Sequence, residues 1–322
     1  MVLTNLKQTV HADLNKVDKL IVASLHSEIS LVQDLGKYII QGGGKRLRPL
    51  VVLLSARACN YAGEDQIAMA AVIEFIHTAT LLHDDVVDGS LLRRGRETAN
   101  NLWGNEAAVL VGDFLYSRSF QLMVEVKNFK ILKIIADATN TIAEGEVLQL
   151  LNQHNPETSE QSYLHVIRSK TAKLFESAAE IGAVLANSPP HIQSALAQYG
   201  QHLGTAYQLI DDILDYQITE SQSGKSVGTD LAEGKPTMPL IYLYKHGSEQ
   251  DKALIIEAIT NPKNCDLSII RNAIQQSTAL DYTFAFARRE AELAKQVISE
   301  LPDSEYRAAA IELAEFVVTR TH

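Results

Sequence analysis

Apolar residues recur at spacings of three and four along 68–88, 106–123, 131–151, 163–186 and 192–216, while alternating runs of the β type are few. That periodicity predicts helices throughout and an all-α fold. The 8 prolines stand at Pro49, Pro156, Pro189, Pro190, Pro236, Pro239, Pro262 and Pro302 and leave the long stretches uninterrupted. Turn chemistry falls between them, at Asn187-Ser188-Pro189-Pro190, in the glycine-bearing 224–236, at Asn261-Pro262-Lys263-Asn264 and at Leu301-Pro302-Asp303. None of these reads as a linker, so one large helical domain over 1–322 is expected, although length alone would allow about two.

Two of the predicted helices carry a polar line. In 192–216 it is Gln198, Gln201, Thr205, Gln208, Asp212 and Asp215, and in the almost wholly apolar 68–88 it is His77, Thr80, Asp84 and Asp88. Two such lines facing each other would border a central active-site cavity. Each closes on the same pattern, Asp84-Asp85-Val86-Val87-Asp88 and Asp211-Asp212-Ile213-Leu214-Asp215. Residues three and four apart share a helix face, so each motif gathers like charges that an apolar flank makes harder to bear. A cation is the natural remedy. Oxygen donors suit a hard ion, and Mg²⁺ takes one or two carboxylates, keeps waters and bridges to phosphate oxygens. One such motif alone is more often a solvated helix end than a site, but two copies ending two apolar helices reverse that judgement.

The chain is 46% hydrophobic and 21% charged, with a net charge of −10 and a pI near 5.5, which fits a folded protein and argues against nucleic acid as a partner. An anionic substrate then needs local cations. Gly42-Gly43-Gly44-Lys45-Arg46-Leu47-Arg48-Pro49 combines permissive glycines with three cations, and reads equally as a phosphate cradle or as a solvated helix break. Arg93-Arg94-Gly95-Arg96 begins five residues beyond Asp88, within reach of the same phosphates. For Lys170-Thr171-Ala172-Lys173 spacing does not decide between a site and a surface pair, and Glu144 and Glu146 read first as ordinary helix-face carboxylates. Gly224-Lys225-Ser226 resembles a P-loop tail, but Thr219 stands where a glycine is required and no strand precedes it; Lys225 and Lys235 still follow the second acidic motif.

Cys59 and Cys265 make neither a disulfide framework nor a zinc pattern, which fits a reducing cytosol. Asp13 and Lys16 arrive before any signal-like apolar run, and Glu74 and His77 interrupt the most apolar stretch, 68–82, short of a bilayer span. A cytoplasmic protein without a transmembrane segment is expected; peripheral membrane contact stays open.

From about Gly42 to Pro239 the chain resembles the trans-isoprenyl diphosphate synthases. The resemblance is carried by Gly43-Gly44-Lys45-Arg46-Leu47-Arg48-Pro49, Glu74-Phe75-Ile76-His77, the first acidic motif with Arg93-Arg94-Gly95, Ser169-Lys170-Thr171, Gln208-Leu209-Ile210-Asp211-Asp212 and Gly234-Lys235-Pro236-Thr237. It is greatest to bacterial members that make chains near C40. It implies a homodimeric bundle of the isoprenoid synthase type that joins isopentenyl diphosphate to an allylic diphosphate by ionisation, condensation and elimination. It implies isopentenyl diphosphate on Lys45, Arg48, His77 and Arg94, and the allylic diphosphate on Arg93, Lys170, Thr171, Gln208, Lys225 and Lys235. Asp84, Asp85, Asp88, Asp211, Asp212 and Asp215 are implied as magnesium ligands, with Lys170, Thr171 and Gln208 nearest the chemistry. Ile76, Ala79 and Thr80 are implied to set product length, and with no aromatic residue there a long chain is expected. Two departures from the family pattern are Gly89 after the first motif and Met238 where Leu is common. The alternatives are another length between C35 and C50, a class I terpene cyclase, and a non-catalytic subunit of a heteromeric synthase. A cyclase needs no second diphosphate site, and such a subunit is expected to lose aspartates that this chain keeps.

Overall fold

The helical periodicity is realised almost throughout. A computed structural model describes residues 2–42, 44–93, 95–217, 229–262 and 265–320. In chain order the elements are α1 (Val2–Thr9), α2 (His11–Ser24), α3 (Ser30–Gln41), α4 (Leu47–Ala58), α5 (Asp65–Val87), an antiparallel hairpin of β1 (Leu92–Arg93) and β2 (Arg96–Glu97), α6 (Ala99–Trp103), α7 (Asn105–Val126) and α8 (Phe129–Asn152). Then follow α9 (Glu160–Ile167), a π-turn (Arg168–Ala172), α10 (Lys173–Leu185), α11 (Pro190–Gln217), α12 (Thr229–Ala232), α13 (Met238–His246), α14 (Glu249–Thr260), α15 (Leu267–Gln276), α16 (Ala279–Val297) and α17 (Glu305–Thr319).

Four of the five expected helices appear as α5, α7, α8 and α11. The fifth, expected over 163–186, is broken by the π-turn, because a 3.6-residue period does not register one wider turn. The hairpin is the other difference; its two-residue strands are too short to show a period, and Gly95 at φ +73° supplies the reversal.

The chain divides into two compact units. One comprises 1–137, 174–200 and 297–313. Here α5 is surrounded by α2, α4 and α7, so its residues from Met69 to Ile76 are buried on every side. By length and composition α5 would also suit a bilayer, yet most of it is buried by protein. Asp13 on α2 pairs with Arg57 on α4 at 2.8 Å and accepts from the buried Gln66 at 3.3 Å. On α10, a Cβ at Gly182 would stand 2.5 Å from the Ala56 nitrogen and 2.6 Å from Ser55 Cβ, so α10 crosses α4 backbone to backbone. The other unit comprises 138–173, 201–296 and 314–322. Its cores are Leu240, Leu243, Ile255, Ile259, Ile270 and Ile274 among α13 to α15, and Tyr163, Ile167, Leu209, Ile213, Met238 and Ala287 among α9, α11, α13 and α16. Met238, one of the two departures noted above, is fully buried there, a volume-conserving exchange for Leu.

Because the α4–α10 crossing leaves no room for a methyl group, Gly182→Ala is expected to destabilise the protein by about 1–3 kcal/mol through overpacking, read as a lower urea midpoint at unchanged helical content.

Candidate active site

The first acidic motif occupies the last turn of α5. A helix ends there because Gly89 adopts φ +63°, and the Ser90 and Gly89 amides donate back to the Asp85 and Val86 carbonyls at 3.0 and 3.3 Å, a Schellman closure. The departure at Gly89 thus has a backbone cause. Asn100 Nδ2 donates to the Asp85 and Ser90 carbonyls at 3.2 and 3.1 Å, which ties the start of α6 to this turn. Asp85 itself is only 3% exposed and accepts from Arg93 Nε on the hairpin at 2.8 Å. Burial pushes its carboxyl above the usual carboxylate range, Arg93 pulls it back, and Asp84 and Asp88 push it up again. Asp84 and Asp88 are half-buried.

The basic segment is shaped by Arg46, whose φ of +53° turns the chain into α4 and whose guanidinium makes an ion pair with Glu74 on α5. Arg46 therefore anchors the segment. Arg48, the second residue of α4, lies 4.4 Å over the Phe175 ring, and its Nη1 stands 3.2 Å from His77 Nε2. Arg48 and His77 are thus brought together, with Lys45 half-buried just before α4. Thr80 is turned onto its own helix, donating to the His77 carbonyl at 2.8 Å.

The second motif lies in the last two turns of α11. Asp211 Oδ1 pairs with Arg320 at 2.6 Å. Asp212, 1% exposed, accepts from Gln208 Nε2 at 3.0 Å and from the Tyr163 hydroxyl, and Gln208 Oε1 in turn accepts from Thr171 Oγ1 at 3.0 Å. One chain of hydrogen bonds therefore joins Thr171, Gln208, Asp212 and Tyr163. Burial and the nearby Asp230 raise the Asp212 carboxyl well above its ordinary value, while Tyr163 and Gln208 draw it down. Burial first, then Asp212, raise the Tyr163 phenol too, which keeps it a donor at neutral pH. Asp215 accepts from the Asp230 amide at 3.4 Å. Lys170 donates to Glu146 at 2.6 Å and to Gln149 at 2.8 Å on α8, and Lys235 pairs with Glu233 at 2.6 Å. Not all of the polar line on α11 belongs to this group, since Thr205 bonds the Gln201 carbonyl of its own helix at 2.8 Å and Gln198 bonds Ser194 at 3.2 Å. Gly43, Arg94 and Lys225 lie outside the described residues.

Among the described residues no three His, Cys, Asp or Glu side chains converge as a closed metal nest. The donors nevertheless fit a hard divalent ion that takes one or two carboxylates and completes its shell with water and phosphate. They are all oxygens, and each trio sits at a helix C-terminus where the macrodipole is negative and carboxylates are least welcome.

The polyprenyl synthetase family matches residues 29–276. Octaprenyl diphosphate synthase of Haemophilus influenzae is 49% identical over 100% of this chain and 98% of its own, and that of Escherichia coli is 46% identical over 99% of each. The chain belongs to the polyprenyl synthetase family. Among solved structures, a polyprenyl synthase from Caulobacter crescentus complexed with calcium and isoprenyl diphosphate superposes with a TM-score of 0.96 at 41% identity, covering 99% of this chain and 98% of the other.

In this polyprenyl synthase several site neighbours were silent in the sequence. Tyr163, Arg320, Gln149, Phe175 and Asp230 lie far along the chain from the groups they touch, so no local spacing could reveal them. Glu146 did stand out, and its partner Lys170 makes it more than a helix-face carboxylate. Removing the hydroxyl in Tyr163→Phe leaves a buried carboxylate one donor short; a loss of about 1–3 kcal/mol in unfolding free energy is expected, with a parallel fall in turnover.

Proposed function

We propose that this protein is a long-chain trans-polyprenyl diphosphate synthase that adds isopentenyl diphosphate to an allylic primer, farnesyl diphosphate, giving a product near C40 for a quinone side chain. The observation that carries the reading is the coexistence of two intact acidic motifs with the Arg48–His77 pair beside Lys45, in a chain alike over its whole length to octaprenyl diphosphate synthases. A terpene cyclase ionises one diphosphate and has no use for the second basic group, and a non-catalytic subunit has no use for six aspartates.

Lys45, Arg48, His77 and Arg94 bind isopentenyl diphosphate. Arg93, Lys170, Thr171, Gln208, Lys225 and Lys235 hold the allylic diphosphate, and Asp84, Asp85, Asp88, Asp211, Asp212 and Asp215 are the residues that would hold magnesium. Bound magnesium supplies Lewis-acid neutralisation of the leaving diphosphate. The chain's own residues do the rest. Arg93, Lys225 and Lys235 stabilise charge as the allylic C–O bond breaks and its electron pair leaves with diphosphate. Thr171 Oγ1 and Gln208 Oε1 turn oxygen dipoles toward the allylic cation, while Arg48 and His77 orient the double bond that forms the new C–C bond. The cation left on the former isopentenyl unit then loses a proton from the adjacent carbon to the released diphosphate, and the electron pair of that C–H bond closes the new double bond. Buried apolar helices keep water from the cation.

The product tail runs along α5 past Thr80, Ala79 and Ile76. Ala79 is 1% exposed, Ile73 and Ile76 before it on the same helix are fully buried, and positions 77–81 of that helix carry no Phe, Tyr or Trp. A single synthase domain over 1–322 is supported by a family match that passes through segments of both compact units. A homodimer is supported by the exposed apolar face of α7, with Leu110 at 66% and Val124 at 57% exposure beside Val109 and Phe120. The acidic charge and two free cysteines support a cytoplasmic location.

The direct test is incubation of the purified protein alone with magnesium, isopentenyl diphosphate and farnesyl diphosphate, followed by chromatography; absence of long prenyl products would end this reading. Arg48→Ala is expected to raise the KM for isopentenyl diphosphate by about 10- to 150-fold, as for a lost charge-assisted bond, with a much smaller change for the allylic substrate. Ala79→Tyr places a ring about 7–8 Å from Asp84 along the helix, so shorter products are expected at intact diphosphate chemistry; full-length product at the normal rate would show that the tail takes another path.

A further inference from the structure

Glu290 on α16 has no place in the mechanism above, yet it is 4% exposed and both of its oxygens are engaged. Oε1 accepts from Arg168 Nη2 at 3.3 Å, and Oε2 lies 2.5 Å from His202 Nδ1. Arg168 opens the π-turn, and the Lys173 amide reaches back five residues to the Arg168 carbonyl. His202 is on α11, six residues before Gln208. Glu290 therefore joins, from a third helix, the two elements whose Thr171 and Gln208 meet at 3.0 Å. The third helix is itself held, since Ala287, one turn earlier, is packed among Tyr163, Ile167, Leu209 and Ile210. The π-turn is also touched by α8: a Cβ on Gly145 would stand 2.8 Å from Ser169 Cβ and 3.0 Å from the Lys170 nitrogen. A π-turn is rare and occurs mostly as a single wider turn inside an α-helix, frequently at a functional site.

We propose that Glu290 is a positioning residue: by holding Arg168 and His202 it fixes the π-turn against α11 and so sets the Thr171–Gln208 pair. The proposal rests on the reading that this pair faces the reacting allylic carbon. A buried ion pair can equally serve stability alone, so the test needs a readout that stability does not move.

Steady-state kinetics with magnesium, isopentenyl diphosphate and farnesyl diphosphate, well below the melting temperature, are compared for Glu290→Ala, Glu290→Gln, Gly145→Ala, Thr171→Ala and the Glu290→Ala/Thr171→Ala double variant. Glu290→Ala is expected to lower kcat by about tenfold or more with both KM values within about twofold, the signature of a lost transition-state arrangement. Glu290→Gln, which keeps one acceptor, is expected to lose less, and Gly145→Ala to lose kcat by pushing the turn from α8. Because Glu290 acts through the pair, the double variant is expected to be no more than about twofold slower than Thr171→Ala. A folded Glu290→Ala enzyme with normal kcat and only a lower melting temperature overturns the proposal, as does an additive double variant. If Glu290→Ala does not fold, normal kcat in both Glu290→Gln and Gly145→Ala overturns it. A normal kcat in Thr171→Ala is a different failure: it removes the reading of the pair itself, and the role of Glu290 with it.

Discussion

Carboxylates at the C-terminal end of a helix face the negative pole of its dipole, and this protein places two trios of them there. Asp84, Asp85 and Asp88 close α5, and Asp211, Asp212 and Asp215 lie in the last turns of α11. Neither arrangement is stable on backbone grounds, so each is surrounded by groups that offset part of the charge. Arg93 is brought back to Asp85 by the hairpin. Arg320 is brought to Asp211 from near the end of the chain, and Tyr163 and Gln208 donate to Asp212. The proposed function adds hard cations to these groups, which is what ionisation of a diphosphate requires.

The cations follow the same logic. Lys170 rests on Glu146 and Gln149, Lys235 on Glu233, and Arg48 lies over Phe175 against His77. Each long side chain is held in one region, which under the proposed function lowers the ordering cost of binding the diphosphates. Arg46 takes this furthest: it lies in a segment that reads equally as a phosphate cradle or a solvated helix break, yet its guanidinium belongs to Glu74 and its left-handed backbone turns the chain into α4.

Much was legible along the chain because it depends on residues close in sequence. Helical periodicity reports which face of a segment is apolar, so α5, α7, α8 and α11 were readable to within a few residues, as were the turn at Asn187–Pro190 and the two acidic motifs. The motifs taken together likewise carried the resemblance to the family. The tertiary structure alone decided which aspartate of each trio turns inward. Asp85 and Asp212, the second position of each motif, are buried while the other aspartates are half-buried, although all three side chains are chemically identical. It also decided that an expected continuous helix opens into a π-turn at Arg168–Ala172, which touches Gly145 and Glu290, about 25 and 120 residues away in the chain. Local spacing carries helix, turn and motif because those are set by interactions within one or two turns; the partners of a buried carboxylate are set by which helices pack together, and no period in the sequence records that.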